Sequence, residues 1–397
     1  MTRQMTGRGG DLAPRLTVVL PLKGRHLFTM RFLWYANEAR LPYRFLIADG
    51  QVNETVARSL ENSRATFPHL DIEYVRYPDD ANYSLFFAKM SDALSRVRTP
   101  YAILADNDDF LGIDGIEQAL DFLETHADYV CACGRAAAFT VYSKLGNPDG
   151  AVHGRLNRLY IASNPKDVTA TGAAERLREG GLYHLIYYSV YRTEALAEIW
   201  RDVVEIDFSD LILHENFHAL RTLTLGKVRM NRATVTHFAQ VLTSLKTQAS
   251  QDWVRHLLRS RFTWDVHALV ERLSAAVAHG DGAAAKPVAE DVRTMIETCL
   301  REFLATNYGL LAGIKRFIRK KWPRLESCYQ TRPRFFIGRE RTALLAQLAR
   351  DGASSEHVER MRQELAAIEI AISQESFTAF AAPFRQMAHA DAARNWY

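Results

Sequence analysis

Three carboxylates fall within four residues at Asp106-Asn107-Asp108-Asp109, directly after the apolar run Tyr101-Ala102-Ile103-Leu104-Ala105. Carboxylate oxygens are hard ligands, and a pair such as Asp106 and Asp108 suits a divalent cation, Mg²⁺ or Mn²⁺, that also carries nucleotide phosphates. The competing reading is a polar turn, because Asp and Asn also bond their own backbone in turns. A second concentration of chemistry lies at His214-Glu215-Asn216-Phe217-His218, preceded by Asp210. Isolated charged residues follow other apolar runs: Lys23 and Arg25 after Leu16–Pro21, and Asp49 after Tyr43–Ala48.

These side chains need a scaffold, and the sequence supplies one. From residue 16 to about 135, short apolar runs alternate with segments of helical spacing. Leu16–Pro21, Tyr43–Ala48, Asp71–Tyr77 and Tyr101–Ala105 read as strands. Residues 26–39, a segment opened by Asn53-Glu54-Thr55, and residues 84–97 read as helices. Such alternation predicts a parallel sheet covered by helices on both faces. In open sheets of this kind ligands sit beyond the carboxyl ends of the strands, where Asp49 and Asp106–Asp109 fall. Further on, Ala137–Tyr142 and Leu185–Tyr191 read as strands with a loop over 145–166 between them. Helices follow at 193–201 and 214–225, then two short strands, Lys227–Met230 and Thr234–Phe238. After about residue 240 strand signals fade and amphipathic helices dominate, with a break predicted at His279–Gly282. The expected organisation is a polar tail over 1–15, an α/β domain over 16–240 and a helical domain over 241–397.

Composition narrows the function. A net charge of +4 over 397 residues gives no support to a nucleic-acid-binding surface spread over the protein. Four cysteines, Cys131, Cys133, Cys299 and Cys328, form neither a disulfide framework nor a zinc pattern. Cys131 and Cys133 read as buried thiols on one strand, expected on its opposite faces. No apolar run reaches 18 residues and the amino terminus has no apolar core, so the expected location is cytoplasmic.

Four features now stand in order: Pro21-Leu22-Lys23-Gly24-Arg25, Asp49-Gly50, Phe87-Ala88-Lys89-Met90, and Asp106-Asn107-Asp108-Asp109. The series resembles the nucleotide-sugar half of family-2-type glycosyltransferases with the GT-A (Rossmann-like) fold, across residues 16–240. The resemblance implies a UDP-sugar or related nucleotide-diphosphate-sugar donor, a glycan or lipid-linked acceptor, and a Mn²⁺ or Mg²⁺ cofactor. It places Pro21, Lys23 and Arg25 along the nucleotide pocket, Asp49 on the base and Lys89 near the pyrophosphate. Asp106 and Asn107 would line the donor, Asp106 and Asp108 would hold the metal, and His237 would be a further ligand. An acidic residue deprotonating the acceptor would give inversion at the sugar, and the resemblance implies a role in surface polysaccharide synthesis. Here Asn216 stands where the family places that acid, which leaves Glu215 or Asp210.

Two other readings stay open. With Asn216 in that place, the chain could be a non-catalytic sugar-nucleotide-binding or membrane-docking protein. His214-Glu215-Asn216-Phe217-His218 also fits the letters of a zinc hydrolase motif. Residues 314–324 mix six basic residues with Phe317, Ile318 and Trp322, a candidate contact with an anionic membrane face. Val358, Met361, Leu365, Ile368 and Ile372 recur at 3-4-3-4 spacing, a seam expected to pack within the protein.

Overall fold

A computed structural model describes residues 14–142, 152–162, 166–181, 184–241, 260–281, 289–295, 297–298 and 337–373. The basic segment 314–324 lies outside them, as do Cys299 and Cys328. The fold is mixed α/β, as expected. Its first half comprises β1 (Leu16–Leu22), α1 (His26–Glu38), β2 (Arg44–Asp49), α2 (Glu54–Glu61), α3 (Ser63–Thr66), β3 (Asp71–Arg76), α4 (Tyr83–Arg96) and β4 (Tyr101–Leu104). It continues through β5 (Phe110–Leu111), α5 (Ile113–Thr125), β6 (Tyr129–Tyr142), β7 (Arg155–Ile161), α6 (Ala173–Gly180) and β8 (Val190–Arg192). Then come α7 (Thr193–Ile206), α8 (Leu211–Leu225) and β9 (Lys227–Gln240).

One nine-stranded sheet runs in the order β3-β2-β1-β4-β8-β6-β9-β5, with β7 paired to β6. The strands β3, β2, β1 and β4 are mutually parallel. The chain leaves β1 outward through β2 and β3, then returns to β1's other side as β4. Between β1 and β4 the winding reverses, and this is where open sheets form a crevice. Successive residues of these strands alternate between two cores. Val18 and Leu20 face the core beneath α1 and α5, while Val19 faces the core formed with α4, α7 and α8. Burial on both faces is what made the runs of β1, β2 and β4 continuously apolar in sequence, whereas β3, at the end of the sheet, is only partly buried.

Four expectations change. Leu185–Tyr191 is not one strand. A 3₁₀ turn occupies His184–Tyr188, closed by the Ser189 amide on the Ile186 carbonyl, and only β8 is extended. The expected loop contains β7, antiparallel to β6. The two short strands are one, β9, parallel to β6. Its register slips where Gly134 pairs with Asn231 but Arg135 pairs with Val235, so Arg232, Ala233 and Thr234 bulge out. Cys131 and Cys133 share a face and a core, because residues two apart on a strand point the same way.

The later helices join the same cores. Ser260–Asp281 ends at the predicted break and packs its Leu269, Val270, Leu273 and Val277 into the α7–α8 core. Helices Ile337–Arg350 and Ser355–Ile372 cover a third core with Phe110, Phe139 and Phe238. Met361, Leu365, Ile368 and Ile372 of the predicted seam lie in it. The amino terminus of α5 has no side-chain cap of its own. Instead the Glu364 carboxylate, from the last of these helices, accepts the Asp114 amide at 2.7 Å. Burial pushes that carboxyl up to about 8. No helix among the described residues is long and apolar enough to cross a membrane.

Candidate active site at the reversal of the sheet

The last ladder bond of β4 runs from the Ala105 amide to the Val19 carbonyl, at 3.1 Å. Beyond it the chain is released from the sheet beside the end of β1. There Gly24 and Arg25 take successive left-handed conformations, φ 61° and 54°. The second is unusual for a residue with a side chain, and such strain tends to sit at functional sites. The turn carries the Arg25 guanidinium over the Phe28 ring, 4.5 Å from its centroid, and onto Asp108 Oδ2 at 2.8 Å.

The acidic loop is held from behind. Arg31 is fully buried and donates to the carbonyls of Asp108 (2.6 Å) and Val152 (2.9 Å) and to Gln240 Oε1 (2.8 Å). Burial lowers its pKa to about 9, so it remains a cation at neutral pH. The Asn107 amide donates to Thr29 Oγ1 at 3.1 Å and to the Arg25 carbonyl at 3.4 Å, tying the acidic loop to the Arg25 turn. Asp109 accepts the Gln240 amide at 2.7 Å and meets His237 Nε2 at 2.7 Å. The His237 ring stacks on Tyr188, centroids 4.2 Å apart, and the Tyr188 hydroxyl donates to Asp106.

Asp106, Asp108 and Asp109 each offer an oxygen within 4.8 Å of the others. Burial, then the charges of Asp109 and Asp108, pushes the Asp106 carboxyl up to about 7. Burial likewise raises Asp109. Crowded carboxylates repel one another, and a divalent cation relieves that repulsion. The donor set therefore fits a hard cation. Among the described residues no other group of three or more His, Cys, Asp or Glu side chains has this closeness.

A second charged layer lies under the end of β1. Asp49 is fully buried, accepting the Gln51 amide at 2.9 Å and the Tyr74 hydroxyl at 2.7 Å. Lys89 is buried too, 2.7 Å from Asp80 and donating to the Leu22 carbonyl at 3.0 Å. Lys23 donates to the Asp80 carbonyl. Burial lowers the pKa of both lysines against the pull of Asp80. Asp80 approaches so closely that any side chain at Gly50 would collide with its carboxylate. Pro21 pairs with Ala48 in the ladder above this layer.

On the far side, the 3₁₀ turn sets Tyr187 between the acidic loop and α8. Burial, then the charges of Asp106 and Glu215, holds the Tyr187 hydroxyl well above the usual phenol range. Glu215, half-buried on α8, lies near enough for its charge to act on that hydroxyl. Asp210 instead caps α8, accepting the Leu213 amide at 3.0 Å. His214 and His218 are buried against Phe87, Tyr187 and Trp200, their ring centroids 6.3 Å apart. Burial keeps both neutral, His218 down to about 3. They pack as aromatic rings of the core, and the zinc reading gains nothing from this geometry.

The predicted residues thus fall in three groups. Arg25, Asp106, Asn107, Asp108 and His237 meet at one place, Lys23, Asp49 and Lys89 form the layer beneath, and Glu215 on α8 stands near Tyr187. His237 meets Asp109 and lies outside the carboxylate triad. Asp210 is engaged at a helix end. Sequence reasoning passed over Asp80, Arg31, Tyr187 and Tyr188. Asp79-Asp80 was a visible acidic pair. The tyrosines were hidden inside what read as a strand.

No protein-family model and no curated protein matches the chain. Solved structures do resemble it. S. aureus TarS 1–349 in complex with UDP-GlcNAc shares 10% identity at a TM-score of 0.43, covering 96% of this chain and 93% of that one. A longer TarS chain matches over 66% of this chain and 43% of its own length, with 12% identity and a TM-score of 0.40. The mannosyltransferase PcManGT from Pyrobaculum calidifontis, in complex with GDP-Man and Mn²⁺, shares 12% identity at a TM-score of 0.37, covering 79% and 88%. Likeness this distant assigns no activity to this chain.

Proposed function

We propose that the chain is a metal-dependent glycosyltransferase that moves a sugar from a nucleotide-diphosphate donor to a glycan or lipid-linked acceptor. One observation carries this reading: the Asp106/Asp108/Asp109 cluster stands at the reversal of a parallel sheet, beside the Lys23–Arg25 turn. Asp106 and Asp108 would hold a Mn²⁺ or Mg²⁺ ion, which supplies Lewis-acid stabilisation of the leaving diphosphate. Asp109, fixed by His237 and the Gln240 amide, orients the cluster. Arg25 faces the phosphates, and Lys23 borders them. Asp49 and its neighbours form the base end of the pocket, with Lys89 and Asp80 bracing the β1 end.

Glu215 acts as general base. It takes the proton of the acceptor hydroxyl, whose oxygen attacks the anomeric carbon as the bond to the diphosphate breaks, inverting that centre. Asn216 has no basic oxygen for this and leaves the role to Glu215. Tyr187, between Asp106 and Glu215, stays protonated and can donate to a sugar oxygen there.

A thermal-shift panel of UDP, GDP and their sugars, with and without Mn²⁺, tests the donor site. Ligands that bind only the folded state raise its stability. A rise with one nucleotide that needs Mn²⁺ is the expected result, with UDP favoured. Glu215→Gln should keep that rise and lose sugar transfer. No response to any nucleotide sinks the proposal.

A further inference from the structure

A cleft of about 660 Å³ shares no residue with the acidic cluster. It lies between β7 and the helix Ile337–Arg350, with Arg135, Arg158, Arg232 and Arg350 in its lining. Against four guanidinium groups the lining holds a single acid, Glu340, engaged by the Leu159 amide at 2.7 Å. Asp351 adjoins the cleft and pairs with Arg135, which among the described residues leaves an excess of two positive charges. Tyr160 forms part of the wall and is 48% exposed.

The fold goes out of its way to assemble these arginines. Arg135 sits at the irregularity of β6, buried, donating to the Arg232 carbonyl at 2.7 Å. Arg232 belongs to the three residues that bulge from β9 opposite it. Bulges re-aim side chains, and this one brings an arginine into the cleft that a regular ladder would direct elsewhere. Arg158 stands on β7 beside the second irregularity, between Thr140 and Val141 of β6. Arg350 is added by a helix more than 180 residues further along the chain. Positive charge in excess of its carboxylates in one concavity favours an anion there.

We propose that this cleft binds a phosphorylated small molecule, its phosphate held by Arg158, Arg232 and Arg350 and its remainder packed against Tyr160. Planar guanidinium forks match phosphate oxygens two at a time. The volume falls in the range of small-ligand pockets. Arg135, buried at the base and tied to Asp351, fixes the floor and sets the field. The proposal stands apart from the transferase reading, since it uses neither the carboxylate cluster nor a metal.

Isothermal titration of the whole chain in EDTA, with pyrophosphate, a hexose 1-phosphate and the free hexose, tests it. EDTA removes the divalent ions through which a diphosphate would reach the carboxylate cluster. Saturable binding of both phosphorylated probes is expected, weakening as salt rises, with none for the free hexose. Arg232→Glu and Arg350→Glu alter exposed side chains and should each lower affinity at least tenfold, with the circular dichroism spectrum unchanged. Asp108→Asn should bind as the parent does. Absence of binding, equal binding of the free hexose, or affinity retained in both arginine variants overturns the proposal. Loss of binding in Asp108→Asn overturns it as well, by assigning the phosphate to the carboxylate site.

Discussion

The two halves of the sheet place charge by different means. In the parallel half, β3-β2-β1-β4, the charged groups stand where strands end, and their positions follow from register alone. Leu22 pairs with Asp49, and Val19 with Leu104, so Lys23–Arg25 and Asp106–Asp109 must emerge side by side. In the other half, β8-β6-β9-β5 with β7, charge is placed by irregularity. Arg135 and Arg232 owe their positions to a register slip, and Arg350 to a distant helix. Regular pairing makes a site that tolerates change in its surroundings. A site made by a slip depends on what keeps the slip in place.

The comparison can be broken most sharply at Asp108. Asp108→Asn removes a ligand charge without changing size, and Mn²⁺-dependent nucleotide affinity should fall at least ~100-fold, or about 3 kcal/mol. Calorimetry with Mn²⁺ measures this; affinity within threefold of the parent would mean that the cluster is only a turn. Arg31→Met tests whether the halves are separable. Arg31 bonds to Asp108 in one half and to Gln240 in the other, and its loss strands buried acceptors. Unfolding by urea should show a cost of about 3 kcal/mol. A cost below ~1 kcal/mol would show that the acidic loop holds itself.

Glu364→Gln probes the far half. The Glu364 carboxyl has a raised pKa in the folded state, about 8, so the native state binds a proton that the unfolded chain releases near its ordinary 4.5. Stability from this group is full below about 4.5 and is lost as pH rises toward 8. The amide cannot ionise, so the variant should lose about 3 kcal/mol less between pH 5 and pH 8. Parallel pH profiles for the two proteins would rule this out. A smaller effect sharpens the first half: Asp106 must lose its proton to bind a metal, so Mn²⁺ affinity should rise about tenfold per pH unit up to about 7 and then level off. In Asp106→Asn that slope should flatten.

The same contrast explains what the sequence disclosed. Strands β1, β2 and β4 were legible because both faces are buried, leaving apolar runs bounded by turn residues, while β3, half-buried at the edge of the sheet, mixes charged with apolar residues. Their ends, and hence Asp49 and Asp106–Asp109, came with them. The 3₁₀ turn was not legible, since Leu185–Tyr191 is as apolar and aromatic as a strand, and nothing local shows that its Tyr187 and Tyr188 face two carboxylates. The single strand β9 was read as two because Asn231-Arg232-Ala233 interrupts its pattern, and Arg232 and Ala233 belong to the bulge. Glu364 capping α5 joins residues 250 apart in the chain, a pairing that propensity cannot reveal. Asp80 entered the site through a close approach to Gly50, which in sequence was only the second half of Asp49-Gly50.

The outer strands of the sheet carry a consequence for the protein in a crowded solution. At one end β3 presents Asp71 and Arg76 exposed and Glu73 bridged to Arg44, a border studded with alternating charge. At the other, β5 is two residues long. Backbone pairing propagates from one molecule to the next only along long, smooth, apolar borders. Neither of these two ends offers one, so growth by strand addition has no starting point at β3 or β5.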